Sequence, residues 1–362
     1  MEFTEIHIVG ARPNFMKAAP VVQALNDRGA PPLLVHSGQH YDRALSEVFF
    51  EQLHLPEPDL NLGVGSGTHA AQTAALMVAF EKTFVEHGPS RVVVYGDINS
   101  TLAAAVVAAK MDIPLAHVEA GLRSFDRTMP EEVNRIVTDV LSDLHFVTSP
   151  EAVDQLTKEG IPGAGVHFVG NPMIDTLVRF HSLLDPDAAK RTLDIAGDYA
   201  VATLHRPSNV DDPGVAASIV DGLGRVAKSI PIVIALHPRG REVLEQAGLS
   251  ENPGIHVVEP LGYLEFMSLM SGARLILTDS GGIQEETTIL GIPCLTLRHN
   301  TERPITVTMG TNQLVGTDAA VIAETAENVL AQPPTGSTPP LWDGKAGQRI
   351  AEILLEDREA CS

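Results

Sequence analysis

Two α/β domains of Rossmann type, each built on a parallel sheet and facing the other over a cleft, are what this sequence predicts. Three observations lead there. Short apolar runs alternate with helical stretches along most of the 362 residues, a rhythm that calls for parallel strands joined by right-handed crossovers. The alternation begins afresh near residue 199. In both halves, charged or glycine-bearing turns follow the strands, at the sheet edge where ligands bind. The length agrees, since it exceeds one ordinary core.

In the first half, residues 6–9 read as a strand that ends in Gly10-Ala11-Arg12-Pro13-Asn14 and feeds a helix from about residue 15 to 25. This turn lacks G-x-G-x-x-G, which counts against a nicotinamide dinucleotide. It carries Arg12 and Lys17 instead, two cations suited to a phosphate or carboxylate; the plainer alternative is a helix with two solvated charges. Residues 33–36 form a second strand, and a helix is expected over 43–52. The glycines of 63–67 follow a loop rather than a strand, so they read as a connection or lid, with Thr68 capping the next helix. A strand over 91–95 leads into Gly96-Asp97, and a strand over 114–118 into Glu119. Pro130 opens a further helix that carries Glu131 and Glu132. Charge at a helix N-terminus, worth a few tenths of a kcal/mol, explains one of those two glutamates but not the strand-end pair Asp97 and Glu119. Strands over 144–148 and 166–169 complete the first domain, residues 1–170.

The second domain, 171–344, repeats the pattern. A strand over 199–204 ends in His205-Arg206-Pro207-Ser208-Asn209, and one over 232–236 in His237-Pro238-Arg239. Further strands are expected over 256–258, 275–277, 293–297 and 313–315. The stretch 274–286, RLILTDSGGIQEE, is the centre of the domain. A strand feeding a helix through small residues gathers free backbone N–H groups at a positive helix end, a place for a diphosphate. Gly281 and Gly282 have no Cβ, so a phosphate can approach the main chain. Glu286, about one turn further, is placed to accept hydrogen bonds from two ribose hydroxyls. The alternative is an ordinary junction with Ser280 as N-cap. A proline-rich connector, 333–340, precedes a tail helix, 345–358, expected to pack back on the first domain.

Composition narrows the partners. With 25 Lys and Arg against 46 Asp and Glu, the net charge is −21. That argues against nucleic acid and anionic membranes, and gives weight to individual cations in loops. Cys294 and Cys361 imply no disulfide framework, which suits a reducing cytoplasm. The beginning of the sequence shows no signal-peptide pattern, and no apolar run approaches the roughly 20 residues of a membrane span. No H-E-x-x-H or C-x-x-C spacing points to a metal, and no G-x-S-x-G elbow to a serine nucleophile.

The motifs GARPNFMK (10–17), GDINST (96–101), HVEAGLRSFD (117–126), PEEVNR (130–135), LHRPSN (204–209), TDSGGIQEE (278–286) and TERP (301–304) occur in this order. Together, over essentially the whole chain, they resemble the non-hydrolysing UDP-N-acetylglucosamine 2-epimerases. The resemblance implies a glycosyltransferase-B-like fold, interconversion of UDP-N-acetylglucosamine and UDP-N-acetylmannosamine without NAD or metal, and a homodimer. By the same resemblance Arg12, Lys17, His205 and Arg303 meet the diphosphate, with Ser280, Gly281 and Gly282 cradling it. Glu286 binds the ribose, Phe266 and the Leu261 main chain hold the uracil, and Asp97, Glu119 and Glu131 are the acid/base carboxylates. Three positions depart from the family pattern: Asn14 where many relatives have Glu, RPSN where RREN is common, and the YDRAL run after Gln39-His40, which leaves control by a second UDP-N-acetylglucosamine open.

The chemistry explains why such residues are needed. The C2–H of this sugar is not next to a carbonyl and is a poor acid, so UDP must leave first or nearly so. Fixed cations serve the departing diphosphate, and carboxylates must reach both faces of the ring. Crowded carboxylates are expected to raise one another's pKa. Rival readings are an epimerase for a diacetamido-uronic acid nucleotide sugar, a UDP-sugar-dependent glycosyltransferase and a non-catalytic nucleotide-sugar sensor.

Overall fold

The computed structural model describes residues 4–38, 57–236 and 238–360, without the side chains of Arg12, Pro238, Arg239, Glu359 and Ala360. The expected helix over 43–52, the Gln39-His40-Tyr41 turn and His237 lie outside the described residues. The chain divides into two compact units, Met1–Arg179 with Pro340–Ser362, and Phe180–Pro339.

The first unit holds β1 (Glu5–Val9), β2 (Leu33–His36), β3 (Leu60–Asn61), β4 (Arg91–Tyr95), β5 (Leu115–Ala120), β6 (Leu144–Val147) and β7 (Val166–Phe168). They form one sheet in the order β3-β2-β1-β4-β5-β6-β7, every neighbour parallel. All five residues of β1 and of β4 are buried, as strands covered on both faces must be. Leu76, Phe80 and Phe84 recur every fourth residue along the helix His69–His87 and sink into this core, each contributing about 1.5–3 kcal/mol by burial. The alanines of Asn99–Lys110 keep that helix close to its neighbours. Strand order reverses between β1 and β4, so the loops leaving their carboxyl ends part there. That opening is where an open parallel sheet takes a ligand.

The second unit holds β8 (Ala200–Thr203), β9 (Ile232–Ala235), β10 (Ile255–Val258), β11 (Leu275–Thr278), β12 (Cys294–Thr296) and β13 (Asn312–Leu314). The order is β10-β9-β8-β11-β12-β13, again all parallel. Here the reversal lies between β8 and β11, so His205 and Ser280 stand on its two sides.

The joint lies later than residue 170. The helix Pro172–Phe180 is bound into the first unit, because Thr176 Oγ1 donates to the Met16 carbonyl at 2.7 Å. Asp175 on the same helix accepts the Ala346 and Gly347 N–H groups at 3.1 and 2.7 Å, capping the last helix from a distance. The chain also returns earlier than residue 345: buried Trp342 donates Nε1 to the Thr148 carbonyl at 2.9 Å. The last helix, Ala346–Ala360, packs on Arg12–Asp27. Gly347 allows the approach, since a Cβ there would lie 2.6 Å from the Pro20 backbone. Fully buried Arg91 pins the far end, reaching Glu5 at 2.5 Å, the Leu354 carbonyl at 2.9 Å and Asp357. Among the described residues no helix is long and apolar enough to cross a membrane.

Candidate active site

In the first unit the strand-end residues gather at the β1/β4 opening. β4 and β5 are neighbours with Tyr95 opposite Val118, so Asp97, two residues past one, and Glu119, one past the other, come from adjacent strand ends about 4.8 Å apart. Glu119 is not beyond its strand as the sequence suggests. It sits inside β5 where the pairing with β6 slips a register, at a φ of +77°. A left-handed conformation costs a glutamate roughly 1–2 kcal/mol, and it re-aims a side chain that regular alternation would point elsewhere. Lys17, from the first helix, meets Glu119 at 2.5 Å, and both are buried.

Asp97 is held by Arg135 of the helix Pro130–Leu141, which places Nη2 and Nε on its Oδ2, the latter at 3.2 Å. Asp97 and Glu119 thus each have a cation of their own. Of the paired glutamates, Glu132 is buried and takes Ser124 and Phe125 N–H together with Arg135. Glu131 is half-buried, and none of these contacts involves it. Beneath lies a buried relay. His117 donates Nδ1 to Asp139 at 2.7 Å and Nε2 to the Gly96 carbonyl at 2.8 Å, while Asp139 also accepts the Gly121 N–H at 3.1 Å. One carboxylate thus ties together the two loops that carry Asp97 and Glu119.

In the second unit, Asp279 is the organising group, a residue of the TDSGGIQEE motif that the sequence did not single out. Fully buried, it accepts His205 Nδ1 at 2.9 Å, the Arg206 N–H at 2.9 Å and Asn209 Nδ2 at 3.2 Å. Burial alone would raise its pKa, but His205 and the backbone N–H groups outweigh it and hold the carboxyl below its usual range. With Nδ1 committed to Asp279, the half-exposed His205 ring has Nε2 for a ligand.

The helix Gly281–Leu290 begins directly after Ser280, which holds the N-cap position without a side-chain bond, so the first turn keeps its N–H groups available. Gly281 leaves room for an ion-pair cluster: a Cβ there would displace the Arg303 guanidinium and lie 2.7 Å from the Glu302 carboxylate. Arg303 reaches Glu302 at 2.6 Å and Glu285 at 2.9 Å. Glu302 also gathers Arg298 at 2.7 Å and Arg206 at 3.2 Å. Burial opposes its charge, yet Arg303, Arg298 and Arg206 together hold its carboxyl well below the usual range. This cluster brings the TERP and HRPSN loops together on the helix end. Glu286 is buried and accepts the Tyr263 hydroxyl at 3.3 Å. Tyr263 opens the helix Tyr263–Ser271, which also carries half-buried Phe266 and follows Leu261. The side chain of Arg12 lies outside the described residues.

Two parallel-sheet units, one with acidic side chains at its ligand edge and the other with a helix end, cations and a buried glutamate, define a glycosyltransferase-B-like α/β protein of the sugar-nucleotide kind. Residues 23–355 match the pattern of the UDP-N-acetylglucosamine 2-epimerase family. The UDP-N-acetylglucosamine 2-epimerase of Methanocaldococcus jannaschii is 41% identical, over 96% of this chain and 97% of that protein. The UDP-2,3-diacetamido-2,3-dideoxy-D-glucuronate 2-epimerase of Pseudomonas aeruginosa is 42% identical, over 96% and 98%. Among solved structures, the Methanocaldococcus enzyme in complex with UDP-GlcNAc and UDP superposes with a TM-score of 0.91 at 40% identity, covering 98% of this chain and all of that one (100%). The Neisseria meningitidis enzyme bound to UDP-GlcNAc gives 0.90 at 31%, with 98% and 100% covered. The chain belongs to the UDP-N-acetylglucosamine 2-epimerase family.

Proposed function

We propose that the protein inverts carbon 2 of UDP-N-acetylglucosamine, giving UDP-N-acetylmannosamine. A carboxylate takes the C2 proton, the C–H electron pair becomes the C1=C2 bond, and the C1–O bond breaks to release UDP from a 2-acetamidoglucal. A proton then returns to the other face of C2 and UDP re-adds at C1. No cofactor enters this balance.

The observation that carries the reading is the origin of Asp97 and Glu119 at adjacent strand ends, each gripped by a separate cation. With Glu131, they supply acid/base groups for both faces of the ring. His205, Arg12, Lys17, Arg303 and the N–H groups at Ser280–Gly282 receive the diphosphate. A fixed donor on charge that develops in a dry site is worth about 3 kcal/mol. Glu286 takes the ribose, and Phe266 with the Leu261 main chain takes the uracil. The enzyme is proposed to work as a homodimer in the cytoplasm, supplying cell-surface polysaccharide synthesis.

Incubation with UDP-N-acetylglucosamine alone in deuterated water tests this. Deuterium at C2 and a mixture of both epimers are expected. Silence without an acceptor would turn the reading towards a glycosyltransferase. A second reading has specific support, because the diacetamido-uronate epimerase is as similar as the Methanocaldococcus enzyme. Exchange with that uronate, and none with UDP-N-acetylglucosamine, would establish it.

Glu286 makes nucleotide binding pH-dependent. Burial and the adjacent Glu285 push its carboxyl up to about 8, with the Tyr263 hydroxyl working the other way. Ribose hydroxyls donate to the ionised form and favour it, so binding below that pH releases a proton. Since affinity scales with the ionised fraction, uridine is expected to bind about fivefold tighter at pH 8 than at pH 7, and to level off above. Calorimetry with uridine, which has no phosphate to titrate, reads the effect; Glu286→Gln should bind equally at both pH values. A flat profile in the unaltered protein would remove Glu286 from the ribose site.

A further inference from the structure

We propose that Glu132 is a positioning residue for the epimerisation, acting through Arg135 on the Asp97 carboxylate. The inference rests on reading Asp97 as an acid/base group. An acidic residue in the first turn of a helix ordinarily contributes a few tenths of a kcal/mol from a solvated position. Glu132 is nothing of the kind. Its side chain is 1% exposed, and both oxygens are engaged. Oε2 accepts the Ser124 N–H and hydroxyl, each at 2.9 Å, and Oε1 accepts the Phe125 N–H at 2.8 Å.

Arg135 stands between two carboxylates. Nη1 pairs with Glu132, while Nη2 and Nε lie on Asp97 Oδ2. A guanidinium is a rigid planar fork, so a carboxylate that fixes one prong fixes the plane in which the other prongs present themselves. Asn134, the preceding residue, donates to the Asp97 carbonyl at 2.9 Å. Consecutive residues of one helix therefore hold the main chain and the side chain of Asp97, and a site mounted on a helix is more exact than one mounted on loops.

The loop contacts say the same. Phe125 has a φ of +60° and is 76% exposed. Such a conformation persists only when its surroundings over-determine it, and here the Glu132 carboxylate does so. If stability were the only demand, apolar residues of like size would serve as well as a buried ion pair. What they could not supply is the fork aimed at Asp97.

The test is a cycle of Glu132→Gln, Arg135→Lys and the double variant. For each, kcat and KM for UDP-N-acetylglucosamine, UDP affinity and thermal unfolding are measured. A misplacement of about 1 Å costs on the order of a hundredfold, so Glu132→Gln is expected to lower kcat roughly 10- to 100-fold with UDP affinity within about threefold. Because Glu132 acts through Arg135, the double variant should be no slower than Arg135→Lys alone, within about twofold. Wild-type kcat in folded Glu132→Gln, or losses that multiply in the double variant, would overturn the proposal. Should Glu132→Gln fail to fold, Ser124→Ala removes one hydrogen bond to Oε2 and leaves the charge; a roughly threefold slower kcat at unchanged UDP affinity is then expected, and unchanged kcat refutes the proposal. Failure of the underlying reading looks different: Asp97→Asn would itself exchange at the wild-type rate.

Discussion

Asp97→Asn is expected to slow C2 exchange about 10³-fold while UDP still binds, since a positioned acid/base group is worth roughly 10²–10⁴ in rate. The amide has the shape of the carboxylate, and its oxygen can still accept from Arg135, so the local structure should survive. What it cannot do is take a proton at neutral pH. Loss of kcat with UDP affinity kept separates this from a general loss of the site. Deuterium incorporation by mass spectrometry and UDP calorimetry measure the two quantities. Exchange within tenfold of the unaltered enzyme would make Asp97 a structural partner of Arg135 and leave the proton work to Glu119 and Glu131.

The double-sheet architecture was legible because strand periodicity and strand-end chemistry are local signals. Residues 91–95 are a run of apolar residues after Arg91, and Gly96-Asp97 ends it visibly. Glu119 was legible as an acidic residue near a strand end, but its register slip was not, because a bulge depends on how β5 pairs with β6. The partners of the site residues were beyond reach for a similar reason. Arg303 appeared in the sequence as a cation for phosphate; its hold on Glu285 and Glu302 exists only once two loops and a helix meet. Asp279 stood inside a motif already noticed, yet its acceptor role comes from β8 lying beside β11. The joint was misplaced because Pro172 begins a helix whose allegiance is set by Thr176 and Asp175 reaching distant backbone. Short helices such as Pro186–Thr192 and Ile305–Thr308 are too brief to show a period.

Asp279→Asn should lower kcat about 10²-fold, near the cost of removing one donor from developing charge. Asp279 Oδ1 accepts from His205 Nδ1, and Oδ2 from the Arg206 N–H and Asn209. An asparagine has one acceptor for this ring of donors. If its oxygen stays with the backbone N–H groups, its NH₂ faces His205 Nδ1 and forces that nitrogen to accept. The ring is then turned to the form with its hydrogen on Nε2 alone and loses the carboxylate that orients it towards the departing diphosphate. Fixing the imidazole in the wrong form is how removal of a buried aspartate acts in other catalytic histidine sites. UDP affinity should fall much less than kcat, because the Ser280–Gly282 backbone and Arg303 remain. His205→Asn should lose as much rate as Asp279→Asn, and combining them should cost little more, since both remove the same oriented imidazole. Near-normal turnover in Asp279→Asn, with the protein folded, would mean that the buried carboxylate only closes the β8 and β11 loops and that His205 works without it.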